Sequence, residues 1–133
     1  MDVHMRMGSE HYALSIHEVH EVADLGEVTP LPGAPRPFLG VRNLRGEVLP
    51  VIDLAGLLGV EAAGPPERVV VAQTGAFRAG LAVEAVVGVV ELPESDTPVE
   101  SAALKGAVLV DGTLIGIVDL PEALAGLVGA GTT

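Results

Sequence analysis

The sequence predicts an all-β fold built from one structural unit used twice. Residues 40–54 align with residues 106–120 at an offset of 66, and residues 8–27 align with residues 75–94 at an offset of 67. A self-similarity of this length is typical of a duplicated supersecondary unit whose copies share a core. Short apolar runs, punctuated by 17 glycines and 10 prolines, favour strands of a barrel or sandwich over long helices.

Ten strands are predicted, five in each copy. In the first copy they are Val3–Met7, Tyr12–Ser15, Val19–Asp24, Phe38–Leu44 and Glu47–Val51. In the second copy they are Arg68–Gln73, Ala79–Val83, Val86–Glu91, Gly106–Val110 and Thr113–Val118. Pro50 has no amide to donate, so the sequence places it at a sheet edge or a bulge.

Short helices are predicted after the repeated strands. Asp53 is the expected structural cap of a helix that ends at Gly59, and Asp119 of a helix that runs through Leu127. A third short helix is expected around residues 16–19.

The chain is expected to form a single domain over residues 1–133. Its approximate halves are 1–63 and 67–128, with a linker between them and a flexible tail over 129–133. A half of about 65 residues is only marginally stable by itself, so the two halves should bury a common interface.

Composition excludes several classes of partner. The formal net charge is −11, from 18 acidic and 7 basic residues, and such a field repels nucleic acid and anionic membranes. The absence of cysteine removes disulfides, thiolate metal sites and thiol nucleophiles. No apolar run approaches the roughly 18 residues that span a bilayer, and the start lacks a signal-peptide pattern. A cytoplasmic location is therefore expected.

No catalytic, metal or cofactor site is predicted. His17 and His20 lie three residues apart beside glutamates, whereas the zincin motif needs two histidines four residues apart. The serines lie in no nucleophile elbow, and no glycine-rich stretch has the Lys-Ser/Thr of a phosphate-binding loop. A metal-dependent enzyme built on the two histidines is kept as a third hypothesis.

In one predicted turn the first copy alone presents a guanidinium and an amide. Asn43 and Arg45 in the first copy align with Leu109 and Asp111 in the second. Arginine offers a rigid, bidentate fork that suits a buried carboxylate or a partner's backbone carbonyl groups, and Glu21 is the carboxylate expected to pair with it. The simpler interpretation is an ordinary turn arginine in water.

At these residues the chain resembles a known family. Residues 39–54 are similar to the signature of CheW-like domains, the coupling modules of bacterial chemosensory arrays. Residues 12–22 and 28–35 resemble the family's first half, and residues 80–90 and 105–112 its second. Arg42 departs from this pattern, because the family often has an aliphatic residue there.

The resemblance implies two small five-stranded, SH3-like β-barrels packed together. Members of the family bridge a chemoreceptor's cytoplasmic tip to the regulatory domain of the CheA histidine kinase and catalyse no reaction. Arg45 matches the family's characteristic arginine, and a receptor helix would lie in a groove between the barrels. The residues assigned to this receptor-binding groove are Val19, Glu21, Asn43, Arg45, Gly46, Val86 and Val87.

The function expected from the resemblance is that of a chemotaxis scaffold, or adaptor, in two-component signal transduction. Its expected partners are a chemoreceptor tip, the CheA regulatory domain and other CheW-like domains, at membrane-associated receptor arrays. The alternative is a small β-barrel that binds an apolar ligand between its halves.

Overall fold

The computed structural model describes residues 1–61, 63–95 and 97–131. Its ten strands are β1 Asp2–Met7, β2 Glu10–Ser15, β3 Val19–Asp24, β4 Phe38–Leu44, β5 Glu47–Asp53, β6 Arg68–Thr74, β7 Phe77–Val83, β8 Ala85–Val90, β9 Leu104–Val110 and β10 Thr113–Val118. Its helices are a 3₁₀ turn Ile16–Glu18, α1 Leu54–Leu58 and α2 Leu120–Gly131. The all-β prediction is confirmed. Helix α2 ends four residues beyond the predicted Leu127, and residues 132 and 133 of the expected tail lie outside the described residues.

The strands form two five-stranded sheets, which are the two small barrels that the resemblance implies. Barrel A has the strand order β8-β1-β2-β10-β9, and barrel B has the order β3-β6-β7-β5-β4. Each barrel therefore mixes strands from both copies. Parallel pairs join the copies, β2 with β10 in barrel A and β5 with β7 in barrel B.

The turns at the hairpin tips repeat in backbone detail. Arg45 and Gly46 have φ angles of 52° and 84°, and Asp111 and Gly112 have φ angles of 49° and 81°. Positive φ at both central residues is the type I′ hairpin turn, in which glycine at the second position avoids a steric penalty. Arg45 thus occupies a conformation that the aspartate of the other copy also adopts.

A returning loop extends the sheet in both barrels. Thr29, between β3 and β4, exchanges backbone hydrogen bonds of 2.8 and 2.9 Å with Val41, and the Ala107 amide donates to the Thr97 carbonyl at 3.1 Å. Gly40, with φ +147°, lies directly under this contact, because a Cβ there would collide with the Thr29 carbonyl. Its repeat, Gly106, lies under the equivalent loop.

The space between the barrels is filled by a common apolar core. The largest fully buried side chains of this cluster include Met5, Met7, Leu14, Ile52, Leu54, Leu81 and Leu120. These residues come from both barrels and from both helices, so the barrels bury their surface against each other. An apolar ligand between the halves would have to displace this core.

Pro50 does not lie on an edge strand, because β5 runs between β7 and β4. The parallel pairing of β5 with β7 begins only at Val51, so the missing amide of Pro50 breaks no bond of that ladder. The bulge in the β4–β5 pairing lies between Phe38 and Gly40, beside this segment.

The two cap positions differ. Asp119 Oδ1 accepts a hydrogen bond of 3.2 Å from the Glu122 amide and so caps α2. Asp53 is the N-cap residue of α1, at the equivalent position, but its side chain makes no capping hydrogen bond among the described residues. Asp53 is still part of β5, where its own amide donates to the Pro37 carbonyl at 3.0 Å. Burial raises the pKa of Asp53, and the nearby amides of residues 56 and 55 partly oppose the shift.

Candidate protein-binding site

Glu21 and Arg45 form an ion pair on barrel B. Arg45 Nη1 lies 2.5 Å from Glu21 Oε1 and 2.6 Å from Oε2, so one nitrogen bridges both carboxylate oxygens. The pair links β3 to the β4–β5 turn, and β3 and β4 stand at opposite ends of the strand order. The Arg45 side chain is 73% exposed and that of Glu21 is 23% exposed, so the ion pair is not buried. Removal of either partner is therefore not expected to lower the free energy of unfolding by a large amount.

The turn itself presents the guanidinium to solvent. Asn43 Oδ1 accepts a hydrogen bond of 3.0 Å from the Gly46 amide, which holds the tip of the hairpin. Among the described residues, the other N–H groups of Arg45 donate to no protein acceptor. They remain available to a carboxylate or to carbonyl groups of a partner.

The predicted valines lie in two places. Val19 begins β3 in barrel B, while Val86 and Val87 lie on β8, an edge strand of barrel A. Val19 and Val86 are half-buried and pack against the common core, whereas Val87 is 56% exposed. The structure therefore brings Glu21, Arg45 and their turn together on barrel B, and places Val87 on barrel A as an exposed apolar residue.

Sequence reasoning missed an exposed apolar pair on the second hairpin. Leu109 and Leu114 are cross-strand partners and are 67% and 56% exposed. The equivalent pair in the first copy is Asn43 and Val48, of which Val48 is 61% exposed. The alignment of the two copies could have revealed this pair. Leu109 aligns with Asn43 near a hairpin tip, and a position that holds asparagine in one copy is expected to face solvent in the other.

Arg42, the departure from the family pattern, supports a loop. Its Nε donates a hydrogen bond of 2.5 Å to the Leu25 carbonyl, directly after β3. The guanidinium packs so closely over Gly26 that a Cβ there would lie 2.7 Å from it. This arginine therefore holds the start of the β3–β4 connection.

The histidines considered for metal binding are exposed. His17 lies in the 3₁₀ turn and His20 in β3. Within residues 1–61, 63–95 and 97–131, no three or more His, Cys, Asp or Glu side chains cluster as metal ligands would. No helix in this part of the chain is long and apolar enough to cross a bilayer.

Fold and turn together define a two-barrel domain of the CheW-like type. The chain belongs to the CheW-like domain family, whose sequence model matches residues 3–127. That match includes both barrels and the Arg45 turn.

Several named proteins are similar to the chain. The chemotaxis protein CheW of Rhizobium meliloti is 35% identical over 125 residues, which cover 86% of this chain and 81% of that protein. Protein FrzA of Myxococcus xanthus is 39% identical over 93 residues, covering 68% of this chain and 58% of FrzA. The crystal structure of the scaffolding protein TtCheW from Thermoanaerobacter tengcongensis matches with a TM-score of 0.79 at 31% identity, covering 89% of this chain and 87% of that one.

Proposed function

We propose that this protein is a non-enzymatic chemotaxis scaffold that couples chemoreceptors to the CheA histidine kinase in the cytoplasm. The observation that carries the proposal is the family match over residues 3–127. Relatives that cover most of the chain are named as chemotaxis or scaffolding proteins. A scaffold needs binding surfaces rather than reacting groups, which suits a surface with exposed apolar residues and an exposed arginine.

The Arg45 turn is the proposed receptor-binding element. The two equivalent hairpins carry opposite charges at this turn position, with arginine in one turn and aspartate in the other. A cation with free donors is also distinctive on a chain whose net charge is −11. Glu21 holds one end of the guanidinium, so the fork is oriented before a partner arrives and less side-chain entropy is lost on binding.

Coupling also requires a second surface, because receptor and kinase must be held at the same time. Val87 on β8 and the pair Leu109 and Leu114 on the β9–β10 hairpin are exposed apolar residues of barrel A. They lie on different strands from the Arg45 turn, which belongs to barrel B. We propose that the second partner binds at this apolar surface.

The test is a binding titration of native protein and Arg45→Ala against a chemoreceptor tip fragment and a CheA regulatory domain. We expect micromolar binding to both, with receptor binding weakened about tenfold by the substitution, or about 1.4 kcal/mol. Because the Glu21 pair is exposed, the same substitution should lower the free energy of unfolding by less than about 1 kcal/mol. A binding loss would then not reflect unfolding.

Arg36→Ala is the matched control, because Arg36 is also an exposed arginine but lies in the β3–β4 connection. It should bind both fragments like native protein. Absence of binding to either fragment across several homologous partners would overturn the proposed function. Equal weakening of receptor and kinase binding in Arg45→Ala would instead remove this turn from the receptor site.

A further inference from the structure

Two histidines of barrel A share a direct hydrogen bond that the chemotaxis function does not use. His4 Nε2 lies 2.8 Å from His11 Nδ1, and the ring centroids are 5.0 Å apart. The two nitrogens thus lie close to the line that joins the rings, and each points at the other. This is the geometry of a ring-to-ring hydrogen bond, whereas a metal ion would need both lone pairs to converge on a third point.

The pair bridges the central strands of barrel A. His4 is on β1 and His11 on β2, and β1 lies between β2 and the edge strand β8. His4 stands opposite Ala13 of β2 and Gly88 of β8, and the β1–β8 register shifts directly after His4. The ring pair therefore reinforces β1 next to a point where its pairing with β8 is irregular.

Charged groups of both signs lie on the same face of barrel A as the pair. Asp2 and Arg6 share the half-buried face of β1 with His4, and Arg6 stands opposite His11. The Arg6 guanidinium donates to the Gly8 carbonyl at 3.0 Å and lies 3.8 Å from Glu84 Oε1, just before β8.

The strands packed on either side contribute apolar residues. On β10 the residue opposite His11 is Ile115, and on β8 the residue opposite His4 is Gly88, so neither neighbouring strand presents a charged group at these positions.

A hydrogen bond between two imidazoles needs one ring nitrogen to accept. With at least one ring neutral the bond can form, but with both rings protonated both facing nitrogens carry a proton and repel. We propose that the His4–His11 pair makes barrel A acid-sensitive: protonation of both rings breaks the side-chain hydrogen bond that supplements the β1–β2 backbone ladder, and loosens this barrel in preference to barrel B. This device is independent of the proposed chemotaxis role.

The direction of the pH effect follows from linkage. Burial lowers the pKa of His4 from its ordinary 6.5, and the neighbouring His11 lowers it further. At a pH between the folded-state pKa of His4 and its ordinary pKa of 6.5, the unfolded chain holds a proton on His4 that the folded chain does not. The free energy of unfolding therefore falls as the pH drops through about 6.5. For each pH unit by which the pKa of His4 is lower in the folded than in the unfolded state, the unfolding equilibrium constant at low pH rises by up to about tenfold.

Other groups act in the opposite sense. Burial raises the pKa of Glu18 and of Asp53, so their contributions to stability increase as the pH falls. The effect of the histidine pair is therefore measured as the difference between native protein and a His4→Gln variant, in which these carboxyl groups are unchanged.

The experiment is chemical unfolding between pH 7.5 and 5.5 for native protein, His4→Gln and His11→Gln, with His17→Gln and His20→Gln as exposed-histidine controls. We expect native protein and both controls to lose stability on acidification. In His4→Gln the accompanying rise of the unfolding equilibrium constant should be several-fold smaller. Hydrogen exchange, corrected for the intrinsic pH dependence, should show acid-induced opening in β1, β2 and β8 but not in β4 and β5.

An NMR titration of the imidazoles keeps the proposal testable if one variant folds poorly. The pKa of His4 should lie below 6.5 in native protein and rise in His11→Gln, because the neighbouring ring that lowers it is gone. A His4 that titrates at or above 6.5, or a pH dependence that His4→Gln leaves unchanged, would overturn the proposal.

Discussion

Asp53 and Asp119 occupy equivalent positions in the two copies but have different physical roles. Asp119 accepts a hydrogen bond from the first turn of α2, a helix of 12 residues. Asp53 precedes α1, which has only 5 residues, and makes no such bond. The shared residue type therefore reflects the repeat, while the contribution of each carboxylate depends on the helix that follows.

Replacing each aspartate should separate these roles. Asp119→Ala removes a cap and should lower the free energy of unfolding by about 1 kcal/mol. Asp53→Asn should have little effect or be slightly stabilising at pH 7, because burial raises the pKa of Asp53 and its charged form is therefore disfavoured.

Urea unfolding at pH 7 measures both changes. The stability that Asp53 contributes is present at low pH and is lost as the pH rises through its folded-state pKa, so any advantage of Asp53→Asn should shrink on acidification. A loss above about 1 kcal/mol for Asp53→Asn at pH 7 would show that its carboxylate does cap α1 in solution.

At the scale of elements, the repeated glycines are explained by the loops that fold back onto the barrels. Gly40 and Gly106 stand where the connection before β4 or β9 comes close to its own strand. A Cβ on Gly40 would meet backbone atoms of Thr29, while a Cβ on Gly106 would first meet the Ser95 side chain. The two copies thus use the same residue against obstacles of different rigidity.

Gly40→Ala should be strongly destabilising, because the backbone of Thr29 must move and the positive φ of 147° disfavours alanine. We expect a loss of more than about 3 kcal/mol, of the size reserved for steric conflicts and core damage. Thermal unfolding of the purified variants measures it.

Gly106→Ala should cost less, because the Ser95 hydroxyl can rotate away at the expense of its hydrogen bond to the Ala107 carbonyl. The remaining conflict, 2.8 Å from the Ser95 Cβ, requires a shift of that residue and is milder than the conflict of Gly40→Ala with the Thr29 carbonyl. The double variant Gly106→Ala, Ser95→Gly should recover part of that loss. Equal melting temperatures for Gly40→Ala and Gly106→Ala would contradict the distinction between a backbone and a side-chain obstacle.

At the scale of the whole molecule, the exchange of strands makes each copy incomplete. Strands β1 and β2 of the first copy lie in barrel A with β8, β9 and β10, while β6 and β7 of the second copy lie in barrel B between β3 and β5. Neither copy contains all the strands of one barrel. The common core between the barrels adds a second dependence, since it draws residues from both copies.

Fragments 1–63 and 67–133 should therefore be unfolded when expressed separately and should regain the native fold when mixed. Far-ultraviolet circular dichroism and the dispersion of amide NMR signals report both states, with the intact chain as reference. Cooperative unfolding of either fragment alone would contradict the prediction, because it would require one copy to close a barrel with its own five strands.

Much of the fold was predictable because it is locally encoded. Each of the ten strands was found within two residues, since short apolar runs are bounded by glycine and proline turn residues. The Arg45 turn was predictable too, because an asymmetry between copies marks a position that the fold does not require. The missing capping hydrogen bond of the Asp53 side chain was not predictable, because cap geometry depends on how the following helix packs.

Local pattern thus established the strands, the duplication and the position of Arg45 in a hairpin turn, because periodicity and turn chemistry act over a few residues. The pairing of strands from one copy with strands from the other could not be predicted from local pattern. Strand exchange leaves every residue of the repeat in the same alignment, so the choice between exchanged and unexchanged barrels depends on long-range packing of the common core. The exposure of the Glu21–Arg45 pair and the contact between His4 and His11 likewise follow from strands that tertiary pairing brings together.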